Sequence, residues 1–397
     1  MPGPLDRRGP RPLLLHLLLA AMSSQRSIAA SMSLNGLWPS LGSATRAALE
    51  NLLAGANPGE IPAAVLAAAQ EKRSALLAGI AAYRRHPWVR DMPDPPEIWR
   101  EGDSCIRDFG GGGTALLFVP SLVNRASVLD LAPGQSMMRF FAERGCRTLL
   151  LDWGWPGPVE RAFGLAEYVA RLNRAIAAQP APVILIGYCM GGLLALAAAL
   201  HAPIRIVALG LLATPWDFHA GAVGHPEAVG QLLPLLEPAM ALTGTLPIDG
   251  LQTLFTLLDP FGVGDKYRRF GKRDQASARA AAFVAVEDWL NDGVPLAAPV
   301  AREVLGEWYG ENRPARGEWR IAGTAIRPQD LHLPSLVAIP ARDRIVPPES
   351  AEPLAVALPD ATVIRPVAGH VGMVAGASAE RALWHPLLEW VQRLDKS

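Results

Sequence analysis

Gly187-Tyr188-Cys189-Met190-Gly191-Gly192 is the stretch on which the reading of this chain turns, because of what flanks it. Before it runs Val183-Ile184-Leu185-Ile186, a short unbroken apolar segment. After it, Leu193 to Leu200 reads as a helix of leucine and alanine. A strand that passes into a helix through Gly-x-Cys-x-Gly reverses within very few residues, so side chains at the flanking positions would collide with neighbouring backbone. The cysteine then sits at the helix N-terminus, where the dipole favours a thiolate. The amide of Met190 faces the same spot and is a candidate oxyanion donor. Taken alone, the motif reads equally well as a tight turn around a buried thiol. Its place between strand and helix favours a nucleophile.

Working outward, apolar strands alternate with helices. Ala115 to Val119 is a continuous apolar strand. Gln135 to Arg144 reads as a helix stopped by Gly145. Thr148 to Leu151 reads as a strand, Leu165 to Ala178 as a helix and Ile204 to Leu212 as a strand. The rhythm breaks at about Trp216 and resumes with Ser335 to Ile339, Thr362 to Ile364 and a last helix near Pro386 to Leu394. Short apolar runs separated by helices predict a mostly parallel sheet covered on both faces. With the Gly-x-Cys-x-Gly turn, this predicts an α/β-hydrolase fold with an inserted helical cap. The expected division is 1–31 as a leader or misassigned start, 32–100 as N-terminal helices, 101–216 as the first part of the core, 217–327 as the cap and 328–397 as the rest of the core. Ser43 reads as an N-cap of helices running to about Ala82, broken at Asn57-Pro58-Gly59. Gly110 to Gly113 reads as a hairpin-type turn, since it lacks the Gly-Lys-Ser/Thr ending of a phosphate loop. The cap's Leu232, Leu233, Leu235, Leu236, Leu254, Phe255, Leu257 and Leu258 fit either a substrate-facing or partner-facing surface or ordinary helix core, with core favoured.

A nucleophile at such a turn predicts an acid after a late strand, then a histidine after the next one. Asp343 follows the Ser335–Ile339 strand in Ala341-Arg342-Asp343-Arg344-Ile345-Val346-Pro347-Pro348. His370 follows the next strand in Ala368-Gly369-His370-Val371-Gly372-Met373. Their separation leaves room for one helix and one strand. Either residue alone reads as an ordinary turn residue; together, in order and at strand ends, they read as catalytic. Cys189 would attack an acyl carbon, His370 would move its proton, and Asp343 would orient the imidazole. His16, His86, His201, His219, His225, His332 and His385 read as ordinary. The second oxyanion amide is expected within Ser121 to Asn124, with Val123 the choice made.

Composition narrows the rest. Half of the 397 residues are hydrophobic, and Lys+Arg and Asp+Glu balance at 37 each. A balanced chain without basic blocks does not suit nucleic acid as the main partner. Cys105, Cys146 and Cys189 are too few and uneven for a disulfide framework, which fits a reducing, cytoplasmic compartment. No Cys/His cluster has metal-ligand spacing, and neither a metal nor a cofactor is expected. Arg7, Arg8 and Arg11 before the apolar run Leu13 to Met22 resemble a signal peptide, but the run reads as too short to span a bilayer. A start at Met22 or Met32 is the favoured reading.

The motifs together resemble the polyhydroxyalkanoate synthases, over roughly residues 85 to 395. Val119-Pro120-Ser121-Leu122-Val123-Asn124-Arg125 with Leu129-Asp130-Leu131 is similar to that family's segment ahead of the nucleophile. Leu151-Asp152-Trp153-Gly154-Trp155-Pro156 and Glu167-Tyr168 resemble its shorter, two-subunit branch. Thr214-Pro215-Trp216-Asp217-Phe218, Glu287-Asp288-Trp289-Leu290-Asn291-Asp292 and Trp308-Tyr309-Gly310-Glu311-Asn312 are also similar. The chain departs from the family at Leu193, where Thr is usual, and at Ser121, where a second Pro is common.

The resemblance implies polymerisation of (R)-3-hydroxyacyl-CoA to polyester. It implies CoA release through an acyl group on Cys189, attack by a 3-hydroxyl, and a cap that excludes water. It also implies a homodimer, a second synthase subunit and work at the surface of polyester granules. Two other readings stand beside it. One is a thioesterase or ester hydrolase with the same three residues; dienelactone hydrolases also resemble the Gly-Tyr-Cys-x-Gly-Gly turn, but they are compact and leave the long stretch between Cys189 and Asp343 unexplained. The other is an idle scaffold that binds granules or a partner subunit.

Overall fold

The computed structural model describes residues 7–32, 60–221 and 229–394, with the single residues 47, 51 and 57. Ser43 and His225 lie outside the described residues. The chain divides into two compact units. One holds Arg90–Leu258 and Asp292 onward; the other holds the residues up to Val89 with Asp259–Asn291. This division cuts through the stretch read from sequence as a single cap: 229–258 and 292–327 belong with the sheet, and 259–291 with the N-terminal helices.

The first unit is built on one eight-stranded sheet: β1 (Glu97–Glu101), β2 (Ser104–Asp108), β3 (Ala115–Val119), β4 (Arg147–Asp152), β5 (Val183–Tyr188), β6 (Ile206–Leu212), β7 (Ser335–Ala338) and β8 (Thr362–Ile364). Their order in space is β1-β2-β4-β3-β5-β6-β7-β8. From β4 to β8 every neighbouring pair is parallel, while β2 runs antiparallel to β4 and β1 to β2. The central strands explain themselves. Every residue of β3 and β5 is buried, which an apolar run without alternation allows only when helices cover both faces. The helix Met190–His201 is buried on nearly all sides, as its unbroken Leu/Ala composition requires.

Two expectations change. The glycine run 110–113 is not a hairpin, because β4 lies between β2 and β3. The chain crosses the entry to β4 instead, where Gly112 and Gly113 donate their amides to the Gly145 carbonyl. A Cβ at Gly111 would lie 1.9 Å from the Cys146 carbonyl oxygen, so only glycine passes there. The helix read over 135–144 spans Met137–Glu143, because the Ser136 hydroxyl caps it by accepting from the Arg139 amide at 3.0 Å.

The second unit packs the helices Leu13–Met32, Ile61–Arg85, Gly262–Gly271 and Ala278–Asn291. Leu76, Ile80, Tyr83, Tyr267, Phe270 and Val284 make its core. Gly79 is the crossing point, where a Cβ would lie 2.0 Å from the Tyr267 carbonyl oxygen. Glu287 and Asp288 are buried here. Asp288 accepts from Arg7 Nε at 2.7 Å and from the Tyr83 hydroxyl at 2.8 Å, and Glu287 accepts from the Tyr267 hydroxyl at 2.9 Å. Arg7 also donates to the carbonyls of His86 and Trp88. Residues 7–32 are thus part of this unit's packing. The apolar run read as too short to span a bilayer continues through Ser23-Ser24-Gln25-Arg26 as one 20-residue helix. Among the described residues it is the one helix long and apolar enough to cross a membrane, by length and composition.

Removing one member of a fully buried ion pair strands the other without a counter-charge, a loss of about 3–5 kcal/mol. Arg7→Ala is therefore expected to lower the urea midpoint for unfolding of the helical unit strongly. Arg8→Ala, which leaves the Asp288 pair in place, is expected to leave that midpoint nearly unchanged.

Candidate active site

Cys189 occupies the turn between β5 and the helix Met190–His201, at φ 56° and ψ −128°. A non-glycine residue with this backbone is strained, and the strain persists because the surroundings over-determine it. Its amide donates to the Leu212 carbonyl at 2.8 Å, and its carbonyl accepts from the Gly192 amide at 2.9 Å. A Cβ on Gly191 would lie 2.2 Å from the Val119 carbonyl oxygen, and one on Gly187 would lie 2.4 Å from the Gly192 Cα. The glycines of the motif are thus set by close backbone approach. Cys105 and Cys146 are buried, whereas Cys189 is partly exposed and faces a cavity.

Asp343 and His370 reach the same place through an extension of the β7–β8 pairing. Beyond the strands the two loops continue to bond: the Ile339 amide donates to the Ile364 carbonyl, Ala341 to Pro366 and Arg342 to Ala368, all at 2.9–3.0 Å. Asp343 follows directly on one loop, and His370 begins the short helix His370–Ala375 on the other. One carboxylate oxygen of Asp343 accepts from the amides of Ile345 at 2.8 Å and Val346 at 3.0 Å; the other meets His370 Nδ1 at 2.6 Å. The same imidazole interacts with the side chain of Cys189. The Tyr188 hydroxyl donates to the His370 carbonyl at 3.2 Å, and the two rings lie 5.1 Å apart. The structure therefore brings Cys189, His370 and Asp343 together, with the Asp343–His370 hydrogen bond as their fixed link.

Burial pulls the His370 pKa down, but the charges of Cys189 and Asp343 and the hydrogen bonds to both outweigh it and hold it up at about 10.

The cavity over Cys189 has a volume of about 90 Å³. Leu246, Leu251, Leu254, Phe255 and Leu296 form one side; Phe218, Leu305, Trp308 and Tyr309 form another. Among the described residues no charged side chain lines it. Of the cap leucines weighed from sequence, Leu254 faces the cavity with Phe255, while Leu235 and Leu257 are exposed. Trp308 and Tyr309 lie on a π-helical segment, Glu303–Gly310, a form common at functional sites. His219, read as ordinary, bonds the Tyr309 carbonyl through Nε2 at 2.8 Å, and Asn312 bridges Phe218 and Asp217.

Met190 is the first residue of its helix, so its amide has no intrahelical acceptor. The Val123 amide donates to the Ser121 hydroxyl at 3.2 Å, and both residues line the cavity. Ser121 lay within the 121–124 segment expected to supply an oxyanion amide, whereas sequence reasoning passed over Tyr309 and Trp308 as site residues. The only signal for them was membership in motifs, since nothing local to Trp308-Tyr309 says which wall it will form.

Because the His370 pKa is raised above its ordinary 6.5, its proton stabilises the fold fully below that pH, and this contribution is lost as pH rises through about 10. The gap in thermal midpoint between the protein and His370→Gln should be widest at pH 6 and close toward pH 10. A gap independent of pH would mean that the imidazolium is not the form held.

The family model for the alpha/beta hydrolase family matches residues 110–382. Among curated relatives, the poly(3-hydroxyalkanoate) polymerase subunit PhaC of Haloferax mediterranei is 29% identical over 69% of this chain and 58% of its own length. That of Haloarcula marismortui is 29% identical over 69% and 60%. That of Synechocystis is 28% identical over 70% and 77%. The chain thus spans under two thirds of the length of the first two. It belongs to the alpha/beta hydrolase family, and its similarity within that family is to the polyhydroxyalkanoate synthases.

Proposed function

We propose that this chain is an acyltransferase that polymerises (R)-3-hydroxyacyl-CoA to polyester. The observation that carries the reading is Cys189 beside the hydrogen-bonded pair of His370 and Asp343, beneath an apolar cavity, in a chain similar to named polymerase subunits.

In the first half-reaction the Cys189 thiol gives its proton to His370, and the thiolate sulfur attacks the thioester carbonyl carbon. The bond from that carbon to the CoA sulfur breaks, and His370 returns the proton to the leaving thiolate. CoA departs as a thiol and the acyl group remains on Cys189. In the second half-reaction a 3-hydroxyl oxygen attacks this acyl carbon while His370 takes the hydroxyl proton. The carbon–sulfur bond to Cys189 breaks, a new ester is formed, and thiolate and imidazolium are restored. Asp343 holds the imidazole in orientation and stabilises its charge. The Met190 amide supports the developing oxyanion together with an amide of the 121–124 loop. Val123 serves in that role by giving up its bond to the Ser121 hydroxyl.

No metal or redox group enters these steps; the CoA thioester is the substrate. A homodimer, a second synthase subunit and action in the cytoplasm at a growing polyester surface are part of the same proposal. The relatives' printed name, a polymerase subunit, is its support.

The test is incubation of the purified chain, alone and with a candidate second subunit, with (R)-3-hydroxybutyryl-CoA, following free CoA and the acyl product. CoA release with formation of insoluble polyester is expected. Cys189→Ala should abolish it, and Asp343→Asn should slow it on the order of 10³-fold or more. Release that yields only free 3-hydroxybutyrate would replace the synthase with a thioesterase.

A further inference from the structure

No charged side chain among the described residues lines the small cavity over Cys189, yet a CoA thioester carries a nucleotide and several phosphates, which must lie outside it. Three segments converge at its rim. The loop after β3 supplies Ser121 and Val123 to the cavity wall and continues to Arg125. The loop after β4 is tied to it, since Trp153 Nε1 donates to the Pro120 carbonyl at 3.0 Å. The segment from Asp292 is tied to it as well, through the Val294 amide and the Val123 carbonyl at 3.4 Å. Each of the three contributes one side chain to a single cluster. The Arg125 guanidinium lies over the Trp155 ring, 5.3 Å from its centroid, and Asp292 meets Arg125 Nε at 3.4 Å.

We propose that Arg125 and Trp155 bind the adenosine-phosphate end of the acyl-CoA thioester while its acyl end enters the cavity. This rests on the acyl-CoA reading of the Cys189 site. The argument is one of chemistry and placement. A guanidinium suits a phosphate because its donors match two oxygens at once. A purine binds an aromatic face by stacking. Trp155 keeps 42% of its surface exposed although a guanidinium lies over its ring, which leaves indole surface open to a base. Asp292 fixes the guanidinium over the ring and keeps the pair from collapsing outward. The pantetheine arm of the substrate then runs from this rim to Cys189, past Val123.

The proposal is tested by titrating the full chain with CoA and with pantetheine, which has the thiol arm but no nucleotide. The protein should bind CoA at least tenfold more tightly than pantetheine. Arg125→Gln and Trp155→Leu should each weaken CoA binding about five- to tenfold and leave pantetheine unchanged. Trp155→Phe, which keeps an aromatic face, should recover most of the loss and guards against a misfolded Leu variant. Equal affinity for CoA and pantetheine in the unaltered protein would overturn the site, as would variants that bind CoA normally or lose both ligands together. Preference for CoA in a protein that makes no polyester would instead sink the synthase reading and leave this site standing.

Discussion

The strained turn at Cys189 is the constraint on which the rest of the site depends. Its backbone sits where an L-residue gains nothing locally, and it is kept there by contacts that leave no room to relax. The turn's helix lies so close to the end of β3 that Gly191 faces the Val119 and Pro120 carbonyls. The same approach ties the nucleophile's position to the loop that carries Ser121 and Val123. Because Cys189 opens this helix, a shift of the helix by the width of one methyl group would move Cys189 relative to His370. Geometry of this kind is bought with sheet packing: β3 and β5 are buried along their whole length, and the helix behind them is buried on nearly every face.

Electrostatics at the site follow from burial. Asp343 is held as an acceptor by two amides and one imidazole, so its charge is satisfied without water. The imidazole lies by that carboxylate and the Cys189 side chain, and its interactions with the two outweigh the pull of burial, which holds its pKa up. Among the described residues the surrounding cavity is lined by no charged side chain, which keeps the local dielectric low. The low dielectric that makes an unpaired charge costly also strengthens a fully paired one.

Much of this was legible in sequence wherever the signal was local. The apolar runs of β3, β5 and β6 admit only buried parallel strands, and the glycines around Cys189 admit only a tight turn. Asp343 and His370 could be placed because each follows a strand in the expected order. The edge strands β1 and β2 were not seen. Glu-Ile-Trp-Arg-Glu and Ser-Cys-Ile-Arg-Asp carry charges that an antiparallel edge tolerates, and they lack the apolar continuity of the central strands. The split of the cap was also out of reach. Glu287 and Asp288 entered only as part of a stretch similar to the family, whereas Tyr83, Tyr267 and Arg7 bury them from more than 200 positions away or from a neighbouring helix. Long-range partners of that kind leave no mark on local periodicity. The cavity walls are hidden for the same reason: Leu254 is indistinguishable in pattern from Leu257, yet one faces Cys189 and the other faces solvent.

The character of the cavity bears on which nucleophile completes the reaction. A water molecule held for attack needs two to four polar partners, and the walls here are leucine, phenylalanine and tryptophan, with Ser121 and Tyr309 as the few polar groups. Water entering such a space gives up hydrogen bonds that the walls do not replace. A hydroxyl carried on an acyl chain faces the same loss, but it arrives attached to apolar surface whose burial contributes about 25 cal/mol per Å². The acyl chain thus carries its own hydroxyl into a place that water has little reason to occupy. Under the acyl transfer proposed above, an apolar wall over Cys189 and His370 discriminates between the two acceptors without contacting either hydroxyl directly. On this view Leu254, Leu305 and Trp308 matter to the chemistry as much as the residues that exchange protons.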